Sequence, residues 1–498
     1  MAQTNGTTNG HAGFYIPPKD AFIPLIIDGK DIKASSTDRH FRLPDDHDPT
    51  TPPPSTFQGT DKDLTLQAVE SAQKAFPAWS ATPPPQRRAL LNALAQKIRE
   101  NERPIRAMIK EEIHCNDFWT MIQYLGGLSA IEETAAAISS ETMNGQIPYS
   151  IVPGAYPLVF NEPLGVILGI APWNAPLILS LRAICAPLAT GNTVILKGSE
   201  FSPRTHYFVA NLVREVGFPP GVCNFLLHRP QDAVETFETI ISHPAVKKAN
   251  FTGSTGVGRA IAQGAAKYLK PVLLELGGKN ITIVLDDANI DLAARESLDA
   301  ATVNNGQVCM STDTVLVHRS VAESFSAALH NALKATPHPE LHVISSKGRQ
   351  NLDKLLKEAE SHGAKITQAS PASSSGNLHP ATLIENLPSH SIYHTTESFG
   401  PLLNIRVVDT EDEIVDLFHE SGYGLSGSVF SKNHLRAINL AKRLDSGAIH
   451  INAGSVHDEG NFPHGGVGSS GYGRFGGCWG LREFTKTKTV MIYPDQQH

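Results

Sequence analysis

Three residues of this sequence, Cys309, Glu275 and Asn174, stand in surroundings that suit nucleophilic catalysis. Cys309 lies in the polar, glycine-containing run NNGQVCMS. A thiolate in such a run is a nucleophile, whereas a lone cysteine more commonly serves as a small buried residue. The segment alone therefore leaves both interpretations of Cys309 open.

The glutamate and the asparagine each have a catalytic and an ordinary interpretation. Glu275 interrupts the apolar stretch LLELGGKN and precedes a Gly-Gly turn, so it is either a desolvated general base or a carboxylate that caps the turn. Asn174 lies between two prolines in IAPWNAPL. This rigid loop would aim its amide at a developing oxyanion, although asparagine in such a loop is otherwise turn chemistry.

Two further segments have features of nucleotide-binding sites. In ANFTGSTGVGR, an apolar strand end passes through Gly253 and Gly258 into a helical pattern, which lets backbone N–H groups approach an anion. A tight turn with no ligand would look the same. VILKGSEFSP places Lys197 and Glu200 just after a buried strand, where a carboxylate can accept hydrogen bonds from ribose hydroxyls. A charged surface loop is the alternative there.

The intervening sequence predicts the elements that position these residues. Apolar residues at helical spacing predict helices over 62–79 and 86–101. After about residue 164, short apolar runs such as GVILGIA, NTVILK and NITIVL alternate with amphipathic segments, as buried parallel strands and crossover helices do. A second series, including TVLVHR and NIRVVD, follows. The pattern predicts α/β architecture with two doubly wound units, which bind ligands at the carboxyl ends of their strands.

Composition excludes several classes of protein. A net charge of −7, a pI near 6.3 and the lack of a basic stripe argue against nucleic acid as a partner. No signal peptide or membrane-spanning run is present, and five scattered cysteines without a CxxC pair suit a reducing compartment, so we expect a cytoplasmic protein. The sequence lacks HExxH, and the histidines of HSIYH stand beside Pro388 in a predicted loop, so we expect no metal site.

Taken together and in order, these segments resemble the NAD(P)-dependent aldehyde dehydrogenase superfamily. The nucleophilic cysteine of that family lies in a G-Q-x-C segment, which Gly306, Gln307 and Cys309 match. Its general base lies in an E-L-G-G-K segment, which Glu275 to Lys279 match. The resemblance runs from about residue 60 to the C-terminus and includes ESFGP and GSSGYGRFGG.

The resemblance implies a Rossmann-type cofactor domain, an α/β catalytic domain and a small β oligomerisation arm, in a homodimer or homotetramer. From physics alone, the strand-like pieces assigned to the arm have exposed edges that would gain by pairing. The expected boundaries are a disordered N-terminal arm at 1–18, the NAD-binding domain at 19–145 and 163–274, the catalytic domain at 275–480, and the oligomerisation arm at 146–162 and 481–498.

The resemblance also implies a role for each candidate. Cys309 attacks the aldehyde, Asn174 and the Cys309 backbone N–H hold the oxyanion, hydride passes to the nicotinamide, and Glu275 activates the water that hydrolyses the thioester. Because Glu200 would repel a 2′-phosphate, NAD is expected rather than NADP. The implied cofactor-binding residues are Trp173, Lys197, Glu200, Gly253, Ser254, Gly258, Glu397 and Phe399.

Within that family, the sequence looks most like the vanillin, benzaldehyde and salicylaldehyde dehydrogenases, which implies an aromatic aldehyde, either one like salicylaldehyde or vanillin or an aryl aldehyde intermediate of secondary metabolism. Arg182, two helical turns after Asn174, is expected either to face a ring substituent or to point to solvent. Thr302, Thr314 and Gly468 depart from the family pattern. A coenzyme-A-acylating enzyme and a non-catalytic binding protein are the alternatives, and the presence of Glu275 and of Cys309 disfavours them.

Overall fold

The computed structural model describes residues 15–34, 37–43, 55–140, 143–335, 340–371 and 376–494. Most of the predicted N-terminal arm, residues 1–14, lies outside the described residues. The helices are α1 Lys62–Ser80, α2 Pro84–Glu100, α3 Glu102–Ile113, α4 Asp117–Ala137, α5 Pro176–Ala189, α6 Pro203–Glu215, α7 Ala233–Ser242, α8 Thr255–Ala266, α9 Ile290–Thr302, α10 Ala322–Lys334, α11 Ser346–Ser361, α12 Glu411–His419, α13 His434–Ala441 and α14 Gly477–Glu483.

The two helices predicted from apolar spacing are present. An N-cap starts α1, where the Asp61 side chain accepts a hydrogen bond from the Leu64 N–H at 2.8 Å. Helix α2 begins at Pro84, two residues before the predicted start, because proline is tolerated in a first helical turn. None of the described helices is long and apolar enough to cross a bilayer.

Strands in the described residues form two large sheets and several two-stranded ribbons. The strands are β1 Leu25–Ile27, β2 Lys30–Ile32, β3 His40–Phe41, β4 Phe57–Gln58, β5 Tyr156–Pro163, β6 Val166–Ile170, β7 Thr193–Lys197, β8 Cys223–Leu226, β9 Val246–Thr252, β10 Val272–Glu275, β11 Asn280–Val284, β12 Thr312–His318, β13 Glu340–His342, β14 Lys365–Gln368, β15 Leu378–Pro380, β16 Thr382–Glu385, β17 Leu402–Val408, β18 Tyr423–Gly424, β19 Ser426–Phe430, β20 Ala448–Ile451, β21 Val467–Gly468, β22 Gly471–Tyr472 and β23 Thr485–Ile492.

The first sheet has the order β2-β1-β8-β7-β6-β9-β10-β22, and its five central strands are parallel. The chain proceeds outwards from β6 to β8 and then returns to place β9 on the other side of β6. This reversal is a topological switch point, where the strand ends diverge and leave room for a ligand. Strand β22 lies within the segment predicted as catalytic domain, yet it returns to the edge of this sheet beside β10.

The second sheet has the order β14-β16-β17-β12-β11-β19-β20 and is parallel except for β14. The predicted α/β class with two units is therefore confirmed. Apart from both sheets, β5 and β23 pair antiparallel over eight residues, from Tyr156 with Ile492 to Pro163 with Thr485. The two pieces assigned to an oligomerisation arm thus pair with each other within one chain.

Candidate active site

Cys309, Glu275 and Asn174 meet at the junction of two cavities. The first, here called the apolar cavity, has a volume of about 330 Å³ and lies between α4, α5 and the loop around residues 456–464. The second, the switch-point cavity, has a volume of about 370 Å³ and lies at the ends of β6, β9 and β10. Asn174 and Cys309 line both cavities. A molecule in either cavity therefore reaches the same thiol.

A left-handed turn presents Cys309 at this junction. Asn304, Asn305 and Gly306 have φ values of 48°, 60° and 72° in succession. A Cβ atom at Gly306 would clash with the backbone of Gly400, so only glycine fits there. Gln307 anchors the turn, since its amide donates to the His342 carbonyl at 3.0 Å and accepts from the Ile344 N–H at 2.8 Å. These contacts explain the Gly-Gln pair before the cysteine.

Asn174 is buried and held on both sides. Its backbone carbonyl oxygen accepts hydrogen bonds from the Trp119 indole N–H at 3.1 Å and from the Asn304 side-chain amide at 3.0 Å. Its own side-chain amide donates to the Gln307 carbonyl at 3.1 Å. An amide has two N–H groups, so the second is available for an oxyanion at Cys309.

Glu275 ends β10 and is 0% exposed. Neither of its carboxylate oxygens has a hydrogen-bond partner among the described residues. The nearest cationic group is the His464 ring, whose Nε2 lies 3.8 Å from Oε1 of Glu275. A buried carboxylate without partners is costly unless it has a task, which favours the general-base interpretation over the turn cap.

The surroundings of Cys309 disfavour the thiolate form. Burial raises the pKa of Cys309 well above its ordinary value, and the negative charge of Glu275 raises it further, while Arg182 opposes the shift. A thiol must lose its proton to become a nucleophile. The neighbouring Glu275 carboxylate is placed to receive that proton.

The switch-point cavity has features that fit a dinucleotide. Its wall includes five of the residues implied by the resemblance: Trp173, Gly253, Ser254, Glu397 and Phe399. The N-terminus of α8 begins there, and the Ser254 side chain makes no capping hydrogen bond to it. A Cβ atom at Gly256 would meet nothing within 4 Å, so open space lies beside the first turn of α8. This arrangement suits a pyrophosphate.

The other three implied cofactor residues lie outside that wall. Lys197 ends β7, the strand next to β6, and Glu200 follows it; burial lowers the pKa of Lys197, while Glu200 opposes that shift. Lys197 and Glu200 therefore lie at the same edge of the first sheet as the cavity, one strand further along. Gly258 instead faces Leu276, whose side chain would clash with a Cβ atom there. Its place in α8 thus serves packing of the helix against the end of β10.

Glu397 covers the Gly-Gly turn at the floor of the switch-point cavity. Its Oε1 accepts a hydrogen bond from the Gly278 N–H at 3.1 Å. Burial raises the pKa of Glu397 to about 8, and the charge of Asp313 contributes in the same direction. Asp313 in turn forms a buried ion pair with Lys279 at 3.0 Å. Burial at the floor of this cavity therefore favours the protonated form of the Glu397 carboxyl.

Replacing Glu397 by glutamine is expected to stabilise the NAD-free protein in alkaline solution. Because the folded-state pKa exceeds the ordinary value of 4.5, the folded protein binds this proton more tightly than the unfolded chain does. The penalty for ionisation grows from about pH 4.5 to about pH 8 and is constant above. Thermal unfolding of Glu397→Gln at pH values across this range should show a gain that rises with pH.

The exposed Glu360 on α11 provides the matched control, because Glu360→Gln should shift the melting temperature equally at every pH. A gain in Glu397→Gln that did not vary with pH would contradict the prediction.

The apolar cavity contains Arg182, which the sequence singled out, and several groups that the sequence patterns did not. Arg182 lines it, but its guanidinium is bonded to the Asp458 carboxylate rather than exposed to solvent. His464 lies next to Asp458, with 3.5 Å between Nδ1 and Oδ1. Trp119 and Phe475 supply aromatic walls. The remaining apolar wall consists of Ile122, Leu125, Ile178, Leu179, Val308 and Val456.

The three departures from the family pattern have local explanations. Thr302 ends α9, where its hydroxyl donates to the Leu298 carbonyl at 2.8 Å. Thr314 is buried within β12 between β11 and β17. Gly468 has φ of 56° in the short ribbon β18–β21. None of them lines either cavity. The aromatic surface of the apolar cavity comes from Trp119 and Phe475, and Thr302 takes no part in it.

Comparison with known proteins agrees with this geometry. The sequence profile of the Aldehyde dehydrogenase family matches residues 45–490, which is most of the chain. The chain belongs to the aldehyde dehydrogenase family. This aldehyde dehydrogenase is 38% identical to a vanillin dehydrogenase of Pseudomonas fluorescens over 440 residues, covering 86% of this chain and 90% of the relative.

Solved structures show the same fold. A salicylaldehyde dehydrogenase from Pseudomonas putida G7, crystallised with salicylaldehyde, has a TM-score of 0.90 at 31% identity, covering 96% of this chain and 99% of its own. A point mutant of betaine aldehyde dehydrogenase from Staphylococcus aureus, in complex with NAD+, has a TM-score of 0.88 at 28% identity, covering 95% and 98%. The predicted family and enzyme class are confirmed: the chain is an aldehyde dehydrogenase, an oxidoreductase, and the relatives named here include vanillin and salicylaldehyde dehydrogenases.

Proposed function

We propose that this enzyme oxidises a hydroxylated aromatic aldehyde to its carboxylic acid with NAD. The observation that carries the proposal is the position of Cys309, which is shared by an aromatic-walled cavity and by a cavity at the switch point of the first sheet. An aldehyde carbon bonded to this thiol can lie next to a nicotinamide. The relatives named for vanillin and salicylaldehyde support the substrate class.

The reaction begins when Glu275 accepts the Cys309 proton and the thiolate adds to the aldehyde carbon. The amide of Asn174 and the backbone N–H of Cys309 stabilise the resulting oxyanion. Trp173, Gly253, Ser254, Glu397 and Phe399 would hold NAD, which would supply the hydride acceptor needed to convert the adduct on Cys309 into a thioester. Glu275, after releasing its first proton to solvent, takes another from a water molecule that attacks the thioester. The C–S bond then breaks, the acid leaves, and the Cys309 thiolate takes back the proton from Glu275, which restores the resting thiol and carboxylate.

The charges around Arg182 indicate which ring substituent fits. Asp458 already balances the guanidinium, so a second carboxylate on the substrate would be left without a cationic partner. A phenolic hydroxyl, by contrast, can donate to Asp458 and accept from Arg182 at the same time. We therefore propose a neutral hydroxybenzaldehyde-like substrate, in which Arg182 contacts the hydroxyl.

Replacing Arg182 by alanine is expected to raise the KM for salicylaldehyde or vanillin about tenfold more than the KM for benzaldehyde, because a hydroxyl loses its partner and a bare ring does not. Steady-state kinetics on the three aldehydes measures the difference. Thermal melting of the variant is the check on folding, since Asp458 loses its counter-ion. An equal change for all three aldehydes would show that Arg182 does not recognise the hydroxyl.

The proposal as a whole is tested by NADH formation from benzaldehyde, salicylaldehyde, vanillin, hexanal and acetaldehyde, each with and without coenzyme A. We expect turnover of the aryl aldehydes that does not depend on coenzyme A. A requirement for coenzyme A would establish the acylating alternative. Absence of turnover together with an unreactive Cys309 would establish the non-catalytic one.

We further propose NAD rather than NADP, because the Glu200 carboxylate at the end of β7 would repel a 2′-phosphate. The test is the kcat/KM with NAD divided by the kcat/KM with NADP. This ratio should fall in Glu200→Gln, because the repulsion of the 2′-phosphate is removed.

The β5–β23 ribbon supports a homodimer or homotetramer, and light scattering would measure the mass of the assembly. A catalytic thiol requires a reducing compartment, so we place the enzyme in the cytoplasm.

A further inference from the structure

The loop between β20 and β21 places a histidine and an aspartate beside the base. His464 is 9% exposed and lies between two carboxylates. Its Nδ1 is 3.5 Å from Oδ1 of Asp458, and its Nε2 is 3.8 Å from Oε1 of Glu275. Asp458, His464 and Glu275 therefore form a row that leads from the apolar cavity to the reacting centre. The mechanism described above uses only the last of them.

Backbone contacts show that the His464 side chain is not needed to hold the loop. The His464 N–H donates to the Phe475 carbonyl at 3.0 Å, and the Phe475 N–H donates to the His464 carbonyl at 2.8 Å. The ring itself packs against Glu275, and Nε2 has no hydrogen-bond partner in the described part of the chain. Two buried, unsatisfied groups 3.8 Å apart can form a hydrogen bond after a small displacement.

The charged and titratable groups around His464 come from three elements: Asp458 on its own loop, Arg182 on α5 and Glu275 at the end of β10. Burial is the largest influence on the pKa of His464 and lowers it, as Arg182 does, but the combined effects of Asp458 and Glu275 raise the pKa above its ordinary value. Burial would raise the pKa of Asp458, yet His464 and Arg182 hold it well below its usual range. The imidazole is thus favoured in its charged form.

We propose that His464, oriented by Asp458, is a positioning residue for Glu275. Its Nε2–H donates to the Glu275 carboxylate, keeps that carboxylate ionised and aims it at the water that hydrolyses the thioester. The imidazole transfers no proton in this scheme, since the proton from water passes to Glu275 and from there to the Cys309 thiolate. The inference rests on the proposed role of Glu275 as the base.

The test compares His464→Phe, which preserves an aromatic ring, with wild type. We expect the initial burst of NADH to remain, while thioester hydrolysis slows about tenfold, a part of what a general base contributes. The fraction of acylated Cys309, measured by acid quench and mass spectrometry during turnover, should rise. The acidic limb of the pH profile of kcat should move to higher pH, because the positive charge that favours the ionised carboxylate is gone.

Further variants guard the interpretation. His464→Gln, which keeps a donor but no charge, should recover part of the hydrolysis rate, and Asp458→Asn should shift the pH profile in the same direction as His464→Phe. His434→Phe, at an exposed position on α13, is the matched control and should change nothing. If His464→Phe does not fold, the same measurements are made on His464→Gln and Asp458→Asn.

A folded His464→Phe variant with a wild-type level of acyl-enzyme and an unchanged pH profile would overturn the inference. Glu275→Gln distinguishes the two levels of the argument. If Glu275→Gln slows hydrolysis and the His464 variants do not, only the role of His464 is wrong. If neither slows hydrolysis, the assignment of the base is wrong, and the inference about His464 is wrong with it.

Discussion

Alanine in place of Cys309 is expected to abolish aldehyde-dependent NADH formation, with a loss in kcat/KM of at least about 10⁴-fold. The reason is positional: this thiol alone lines both cavities, so no other described cysteine can bond the aldehyde beside the cofactor. NAD should still protect the variant against thermal unfolding, because the other residues that line the switch-point cavity are unchanged. Stopped-flow measurement of NADH should show neither a burst nor steady turnover.

Cys478 provides the control for Cys309. It is the other partly exposed cysteine of the described chain and lies on α14, so Cys478→Ala should retain normal kinetics. Residual activity of Cys309→Ala above about one per cent would contradict covalent catalysis by this thiol. Its aldehyde oxidation would then have to proceed by direct hydride transfer from a hydrated substrate.

Glutamine in place of Glu275 is expected to slow thioester hydrolysis by about 10² to 10⁴-fold, which is the usual contribution of a general base. The amide keeps the shape of the carboxylate but accepts no proton. Acyl-enzyme should accumulate on Cys309 and be visible by mass spectrometry as an adduct of the substrate acid. A strong added nucleophile such as hydroxylamine should release that adduct faster than water does.

The same substitution should have the opposite effect on the reactivity of the free thiol. The charge of Glu275 contributes to the raised pKa of Cys309, so its removal lowers that pKa and increases the thiolate fraction. Alkylation of Cys309 by iodoacetamide at a fixed pH should therefore be faster in Glu275→Gln than in wild type. An unchanged alkylation rate, together with unchanged hydrolysis, would show that Glu275 does not act on this thiol.

The sequence was sufficient to predict those parts of the site that are local in the chain. Buried parallel strands have continuous apolar runs, and Cys309, Glu275 and Asn174 stand in short segments whose glycines and prolines reflect real turns and close contacts. The helix over 62–79 was predictable for the same reason, because its apolar spacing and its N-cap are local.

The rest of the site depends on contacts between distant segments. Arg182 and Asp458 are 276 residues apart, and no periodicity connects a helix residue with a loop residue at that separation. The loop HDEGNFPHGG contains both Asp458 and His464, but nothing in its sequence predicts that His464 would point at Glu275. The aromatic wall is similar, since Trp119 comes from α4 and its indole reaches Asn174 across 55 residues.

The backbone contact between Gly306 and Gly400 has an evolutionary consequence. The turn that presents the nucleophile has no space for a side chain facing the loop that carries Glu397, and Gly277 leaves equally little space on the other side of that glutamate. A mutation in any one of these three loops must therefore be accommodated by the other two. Enzymes that change their substrate are therefore expected to do so through α4, α5 and the 456–464 loop. The three loops that carry Gly277, Gly306 and Gly400 are expected to change only together.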